Sequence, residues 1–275
     1  MNLEFTKHET RDRIAFIAMN LEFTKYEKRD HIAFITLNRP EVMNALHPPC
    51  HEELDRIFED FAADSETWVA ILTGAGDKAF SAGNDLKWTT QHGVPTLPKS
   101  GFGAITRRFD LVKPLIAAVN GFALGGGFEI ALACDLIIAA EHARFGVPEP
   151  RVGLMAAAGG VHRLPRQIPL KIAMGMMLTG RHITAAEAHR LGIVNEVVAA
   201  KDLQPTAERW ARQILECSPL SIRASKEAAM ASLHLSVAEA MDTHLEGEKR
   251  LWASEDAREG PRAFAEKRKP VWKGK

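Results

Sequence analysis

Short apolar runs typical of β-strands alternate along this chain with longer segments of helical periodicity. Two such cycles are present, at residues 32–38, 50–64 and 68–74, and then at residues 115–121, 125–134 and 135–141. A strand that reaches a parallel neighbour through a helix makes a crossover, and such crossovers are nearly always right-handed. The alternation therefore predicts an α/β fold with parallel strands.

From about residue 170 onward the periodicity is helical almost throughout. The 275 residues suffice for a substantial core, but they are few for two independent domains of ordinary size. We therefore expect three parts: a duplicated N-terminal segment at residues 1–18, a core at 19–200 and a helical C-terminal part at 201–275.

The duplicated segment is a tandem repeat. Residues 1–18 match residues 19–36 at 14 of 18 positions, and the second copy alone continues into LNRPEVMNAL. The first copy could add an edge strand or an oligomer contact. A duplicated start, with Met19 as the original initiator, is the interpretation we favour, because two copies are too few for a repeat architecture.

Composition excludes several classes of protein. Lys plus Arg and Asp plus Glu each total 35, so no net charge favours nucleic acid. The three cysteines (Cys50, Cys134 and Cys217) are far apart in sequence, which fits neither a disulfide framework nor a metal cluster. The start of the chain lacks the apolar core of a signal peptide, and no run is long enough for a membrane span. We expect a cytoplasmic protein without a metal.

The loop after residues 68–74 satisfies a loose dinucleotide-binding pattern, from Gly74 through Gly76 to Ala79. That pattern indicates a cofactor site only when a helix opens at once and an acidic residue follows about 20 residues later. The chain continues as AFSAGNDLK and has no acidic residue between Asp85 and Asp110. A turn after a buried strand is the better interpretation, and no nicotinamide cofactor is expected.

Two segments end a strand-like run in small residues. One is AFSAGNDLK, at residues 79–87, and the other is NGFALGGGFE, at residues 120–129. Glycine lets a ligand approach the backbone, and a helix N-terminus offers unpaired N–H groups. Together the two segments could form an oxyanion hole for a thioester carbonyl, although the glycines could equally serve helix packing alone.

Acidic residues favour the catalytic interpretation. Glu129 lies among apolar residues early in its predicted helix, where an ionised carboxylate is costly unless it is paired or used. Glu149 is held between Pro148 and Pro150, whose φ angles are fixed. Two carboxyls in such settings could divide acid and base work. Spacing alone does not bring them together.

From about residue 20 to the end, the sequence resembles the crotonase superfamily of enoyl-CoA hydratases and isomerases. The resemblance rests on LNRPEVMNAL, AILTGAGDKAFSAGNDLK, KPLIAAVNGFALGGGFEIALACDLIIAAEHARFGVPE, GGVHRLPR, LTGRHITAAEAHRLGIVNEVV and AFAEKRKPVW. It implies a spiral of ββα turns with a helical C-terminal part, assembled as a homotrimer or a dimer of trimers. It also implies an oxyanion hole from the N–H groups of Asn84 and Gly126, with Glu129 and Glu149 as the acid/base pair of a hydratase.

The match departs from hydratases at two points. Ala156, Ala157 and Ala158 replace a Pro-Gly-Ala sequence after the second glutamate, and Glu41 stands where a basic residue often approaches the CoA phosphates. The resemblance therefore places the CoA contacts on the segment Asn84, Asp85, Leu86, Lys87 and on Lys267, which could reach a neighbouring subunit. CoA is part of the substrate, and no separate cofactor is implied.

The substrate implied by the resemblance is a short-chain 2-enoyl-CoA thioester, to which water adds across C2–C3. The runner-up is crotonobetainyl-CoA, the substrate of carnitinyl-CoA dehydratases, and isomerase, lyase and thioester hydrolase activities or binding without turnover stay open. A trimethylammonium group needs a carboxylate or an aromatic face. The segment that usually walls the acyl pocket offers Trp88, Phe102, Phe109 and Asp110.

Overall fold

The computed structural model describes residues 19–93 and 96–275, so the first copy of the repeat lies outside the described residues. The strands are β1 (Thr24–Arg29), β2 (Ile32–Leu37), β3 (Val69–Gly74), β4 (Ala79–Ser81), β5 (Leu115–Val119), β6 (Phe122–Leu124), β7 (Leu136–Ala140), β8 (Arg144–Gly146), β9 (His182–Thr184) and β10 (Glu196–Val198). The helices are α1 (Pro48–Ala63), α2 (Leu86–His92), α3 (Gly126–Ala133), α4 (Gly160–Gln167), α5 (Leu170–Thr179), α6 (Ala185–Arg190), α7 (Leu203–Leu215), α8 (Pro219–Ser232), α9 (Val237–Met241), α10 (Glu246–Ala253) and α11 (Asp256–Ala265).

Six strands form the larger sheet, in the order β1-β2-β3-β5-β7-β10. The hairpin of β1 and β2 is antiparallel, and every other neighbouring pair is parallel. Residues 69–72 and 115–119 are buried throughout, as expected of parallel strands covered on both faces. The predicted alternation and the α/β class are confirmed.

A second sheet is built from three-residue strands in the order β4-β6-β8-β9. Its strands β4, β6 and β8 are parallel, and each directly follows a strand of the larger sheet. The chain thus runs from a long strand to a short strand and then to a helix or turn, and it repeats this path three times. This repetition is the ββα spiral that the resemblance implied.

The two faces of the larger sheet are covered by different helices. One face carries Ile71, Ile116 and Ile138, which pack with Ala207 and Ala211 of α7. The other face belongs to the main core, where α1 and α3 contribute the fully buried Phe58 and Phe128. The short-stranded sheet lies on that second side, so its loops and the start of α3 meet at one edge of the core.

The last residues return to the body of the protein. Trp272 Nε1 donates to the carbonyl of Glu216 at 2.8 Å, and the N–H of Lys273 donates to Asp256 at 2.8 Å. These contacts hold the end of the chain against α11 and the turn before α8. Across residues 19–93 and 96–275, none of the helices has the length and apolar character needed to cross a bilayer.

The loop after β3 leads into strand β4 and opens no helix. A side chain at Gly74 would overlap the carbonyl oxygens of Ala79 and Phe80. Glycine is needed here because two backbone segments cross closely, which explains the pattern without a nucleotide.

Candidate active site

Three consecutive glycines begin α3, and each one is in contact with a different segment. A Cβ on Gly125 would lie 2.9 Å from Glu149 Oε1, one on Gly126 would overlap the ring of Phe102, and one on Gly127 would overlap the carbonyl of Ser81. Gly125 also has φ +54° and ψ −128°, a conformation that side chains disfavour. The glycines therefore bring the helix start into direct contact with β4, with an aromatic ring and with a carboxylate.

The segment after β4 lies directly beside this helix start. A Cβ on Gly83 would be 2.8 Å from the backbone nitrogen of Gly126. Among the described residues, no protein acceptor is recorded for the N–H of Asn84 or for the N–H of Gly126. The structure thus brings together the two donors that the resemblance assigned to an oxyanion hole.

Asn44 holds the segment before Asn84 in place, a role the sequence did not single out. Its side-chain Nδ2 donates to the carbonyl of Ala79 at 2.7 Å, and its own carbonyl accepts from Ser81 Oγ at 2.8 Å. Asn44 is buried and has φ +54°. The only signal in the sequence was its place in the block LNRPEVMNAL.

Glu129 lies one turn into α3 and is 2 % exposed. Its Oε1 accepts the N–H of Gly160 at 2.7 Å. Burial, with a smaller contribution from the negative charge of Glu149, raises the pKa of Glu129 to about 7. The carboxyl can therefore be either protonated or ionised near neutral pH.

Glu149 approaches from the loop after β8, where it begins a short 3-10 turn between two prolines. Its Oε1 lies against Gly125, and its Oε2 is buried without a recorded protein partner in the described chain. Burial raises the pKa of Glu149 as well. Gly125, which Glu149 contacts, also accepts the N–H of Glu129 through its carbonyl at 3.0 Å, so both predicted glutamates lie at the start of α3.

The residues that replace the usual Pro-Gly-Ala sequence lead into the turn that binds Glu129. Gly159, with φ +118°, precedes α4, and the N–H of Gly160 donates to Glu129 at 2.7 Å. Ala156 is buried beside Gly160. Alanine at residues 156–158 is therefore compatible with the hydrogen bond from Gly160 to the carboxyl.

The predicted CoA contacts fall into two groups. Leu86 and Lys87 are exposed at the start of α2, whereas the carboxylate of Asp85 is 11 % exposed and pairs with Arg39 at 3.0 Å. Asp85 also accepts the N–H of Trp88 and so caps α2. Lys267 is exposed at the end of α11, which packs against α10.

The four proposed pocket-wall residues have different surroundings. Phe102 is buried against Gly126 and so adjoins the two backbone donors. Trp88 stacks on His92 at 4.5 Å, Phe109 is 79 % exposed, and Asp110 pairs with Arg108. Of these side chains, Phe102 alone is shown to touch the glycine segment.

The assembled site contains two N–H donors and two buried carboxyls. Within the described part of the chain, no cluster of three or more His, Cys, Asp or Glu side chains could hold a metal ion. Backbone donors of this kind can stabilise a carbonyl oxygen as it gains negative charge, and a carboxyl whose pKa is near 7 can exchange a proton with a substrate. The arrangement suits proton transfer next to a thioester carbonyl.

The chain is similar to known proteins over most of its length. Residues 27–275 match the family model described as enoyl-CoA hydratase/isomerase. A protein of Salmonella arizonae named carnitinyl-CoA dehydratase is 45 % identical over 243 residues, which are 86 % of this chain and 93 % of that protein. Its counterpart in Proteus mirabilis is 44 % identical over 244 residues, again 86 % of this chain and 93 % of that protein.

Solved structures give the same picture. An enoyl-CoA hydratase from Mycobacterium tuberculosis has a TM-score of 0.86 at 39 % identity, covering 92 % of this chain and 99 % of the other. A carnitinyl-CoA dehydratase from Mycobacterium avium has a TM-score of 0.74 at 41 % identity, covering 93 % of this chain and 100 % of the other.

Proposed function

The chain belongs to the enoyl-CoA hydratase/isomerase family, and from that membership we propose that it is a hydro-lyase that interconverts carnitinyl-CoA and crotonobetainyl-CoA. The observation that carries the chemistry is the meeting, at the start of α3, of the buried Glu129 and the half-buried Glu149 with two N–H groups that have no recorded acceptor among the described residues. Relatives that are 45 % identical to this chain and are named carnitinyl-CoA dehydratase support the choice of substrate.

This choice revises the ranking drawn from sequence. A simple short-chain enoyl-CoA stood first there, and crotonobetainyl-CoA stood second. The revision rests on the 45 % identity to the carnitinyl-CoA dehydratase of Salmonella arizonae, which extends over 93 % of that protein. General short-chain hydration stays the second candidate, favoured by the high TM-score of the enoyl-CoA hydratase structure from M. tuberculosis.

In the proposed reaction, Glu129 and Glu149 hold one water between them. One carboxyl, ionised, accepts a proton from the water as its oxygen bonds to C3 of the enoyl chain. The other, protonated, gives its proton to C2, so that H and OH are both added and the pair exchanges its ionisation states. Dehydration follows the same path backwards.

The N–H groups of Asn84 and Gly126 would receive the thioester oxygen in this scheme. The C1 carbonyl gains negative charge as the enolate forms, so donors fixed in advance bind the transition state more strongly than the substrate. The side chain of Asn84 donates to Thr89 Oγ1 at 2.9 Å. In this scheme the ligand is bound by the backbone N–H of Asn84 and not by its side chain.

We assign the CoA portion to the segment Asn84–Lys87, with Lys267 as a phosphate contact from the same or a neighbouring subunit. Exposure of Lys87 and Lys267 supports this, and Asp85 would contribute through its backbone because its carboxylate is bound to Arg39. No further cofactor takes part in the scheme.

We also propose that the protein assembles as a trimer or a dimer of trimers. The C-terminal part exposes large apolar side chains at 56–79 %, at Met230, Leu233, Val237 and Met241. These four side chains, two at the end of α8 and two on α9, are here called the α8–α9 strip, and we propose that a second copy covers them.

The test of function is kcat/KM for crotonobetainyl-CoA and for crotonyl-CoA on the same preparation, followed by loss of the conjugated ultraviolet absorbance. We expect the betaine to be preferred by more than about tenfold, which is roughly 1.4 kcal/mol of transition-state binding. Preference for crotonyl-CoA would restore the general hydratase, and turnover of neither would refute the hydro-lyase proposal.

A further inference from the structure

Arg163 lies on α4 next to the proposed acid/base pair. Its side chain folds back over the glycine that precedes the helix, so that a Cβ on Gly159 would overlap Nη1. Nη2 donates to the carbonyl of Thr106 at 2.9 Å, and the guanidinium lies 5.8 Å from the ring centroid of Phe109. One side chain thus spans the Gly159–Gly160 turn and the segment that walls the pocket.

The guanidinium of Arg163 forms no salt bridge with a carboxylate of the described residues. In residues 19–93 and 96–275, no carboxylate lies within 4.0 Å of its guanidinium. The neighbouring negative group is Glu129, and attraction to Arg163 lowers the pKa of that carboxyl, against the larger effect of burial. Burial also lowers the pKa of Arg163 itself.

The charged groups acting on Glu129 are few. Glu149 approaches from the loop after β8 and Arg163 from α4. Helix α4 also carries His162 and Arg166, and both are exposed. Strands β4 and β6 and the 3-10 turn Phe102–Ala104 also pack on α3, and their sequences contain no titratable residue. The thiol of Cys134, at the end of α3, lies near Arg163 and stays neutral because burial raises its pKa.

We propose that Arg163 is a positioning residue for the reaction. Its guanidinium fixes the Gly159–Gly160 turn, whose Gly160 N–H binds Glu129, and its charge balances the ionised state of that carboxyl. The role rests on the proposed function of the acid/base pair, since Arg163 acts on the substrate only through Glu129 and through the wall at Thr106.

The test measures Glu129 directly, without substrate. In protein labelled with 13C at the glutamate carboxyls, the Glu129 signal is assigned by its loss in E129Q and followed against pH. We expect a midpoint near 7 in the parent, and R163M should move it to higher pH by about half a unit or more. R163K keeps the charge, so its midpoint should lie close to that of the parent.

R166M is the matched control, because Arg166 is an exposed arginine on the same helix and donates to the carbonyl of His162. Its midpoint should equal that of the parent. If R163M does not fold, R163Q removes the charge while keeping an amide donor. An unmoved midpoint in a folded neutral variant overturns the proposal.

Enzyme assays separate this outcome from failure of the proposed function. If the parent is active, its pH profile of kcat/KM should have a limb, a rise or fall with pH, that reports the titration of Glu129. In R163M this limb should move by the same amount as the midpoint of the carboxyl titration. Loss of rate with both the limb and the midpoint in place would make Arg163 merely structural. A parent without turnover would refute the hydro-lyase, and the carboxyl titration would still decide the role of Arg163.

Discussion

The carboxyl of Glu129 is held where its ionised form is disfavoured. Its raised pKa of about 7 means that the folded protein keeps a proton that an unfolded chain has lost above about pH 5. Stability from this group is therefore present at low pH and is lost as the pH rises through 7. The same property that makes the residue useful as an acid makes it costly at alkaline pH.

E129Q should thus stabilise the protein in a pH-dependent way. The amide keeps an acceptor for the N–H of Gly160 but never ionises. At pH 8 we expect the free energy of unfolding of E129Q to exceed that of the parent by on the order of 2–3 kcal/mol, with a higher Tm. At pH 5 the two proteins should be nearly equal in stability. Scanning calorimetry at the two values checks this, and an equal gain at both would contradict the shifted pKa.

The same substitution should remove activity. Because general acid/base catalysis contributes about 10²–10⁴-fold, E129Q and E149Q should each lower kcat by at least ~10²-fold. Binding of CoA product, measured by calorimetry, should stay near that of the parent, since both carboxyls lie at the acyl end of the site. Near-normal turnover in either variant would refute its assigned role.

At the scale of elements, two glycines in different helices make opposite predictions. A Cβ on Gly127 would overlap the backbone of Ser81, whereas one on Gly175 in α5 meets no atom within 4 Å. G127A should lower stability by more than about 2 kcal/mol, while G175A should raise it by about 0.5–1 kcal/mol. Chemical denaturation of both variants checks the contrast, and similar effects would show that the helix start can shift.

The elements that sequence predicted are the ones with long patterns. Residues 115–121 and 135–141 were assigned as strands, and β5 and β7 lie within them, because a continuous apolar run needs burial on both faces. The residue pattern did not predict the second sheet, since strands of three residues carry too little pattern, and only the resemblance to a ββα spiral implied it. The division at residue 200 stays a prediction, and α7, which follows it, packs on the larger sheet.

The sequence indicated some residues of the candidate site and missed others. Glu129 and Glu149 stood out because carboxyls among apolar residues and prolines are unusual, and the resemblance pointed to them as well. Arg163 and Asn44 did not stand out, because their contacts join segments about 30 to 60 residues apart. Arg163 is near the acid/base pair only in the folded structure, and its sequence context does not indicate this.

At the scale of the whole molecule, the α8–α9 strip should control assembly. Met241 is 79 % exposed, so M241E should cost the isolated chain little and should oppose burial of the strip against another copy. We expect sedimentation to show a smaller species for M241E than for the parent. The conservative variant M241L should assemble normally, and assembly of M241E at parental size would place the interface elsewhere.

Removal of residues 1–18 should change neither activity nor oligomer size. The second copy of the repeat already supplies β1 and β2, and β2 pairs with β3 along its full length. Activity assays and sedimentation of the shortened chain check this. A smaller oligomer on deletion would show that the first copy contributes an interface.

The contacts of Gly125, Gly126 and Gly127 also limit how this protein can diverge. Each glycine meets a different partner, so no single replacement elsewhere could compensate for changes at all three. We expect selection for a new acyl group to act instead on helix α2, at residues 86–92, where exposed and half-buried positions tolerate replacement. A library at residues 125–127 should return glycine at every position, while one at residues 86–92 should return new specificities.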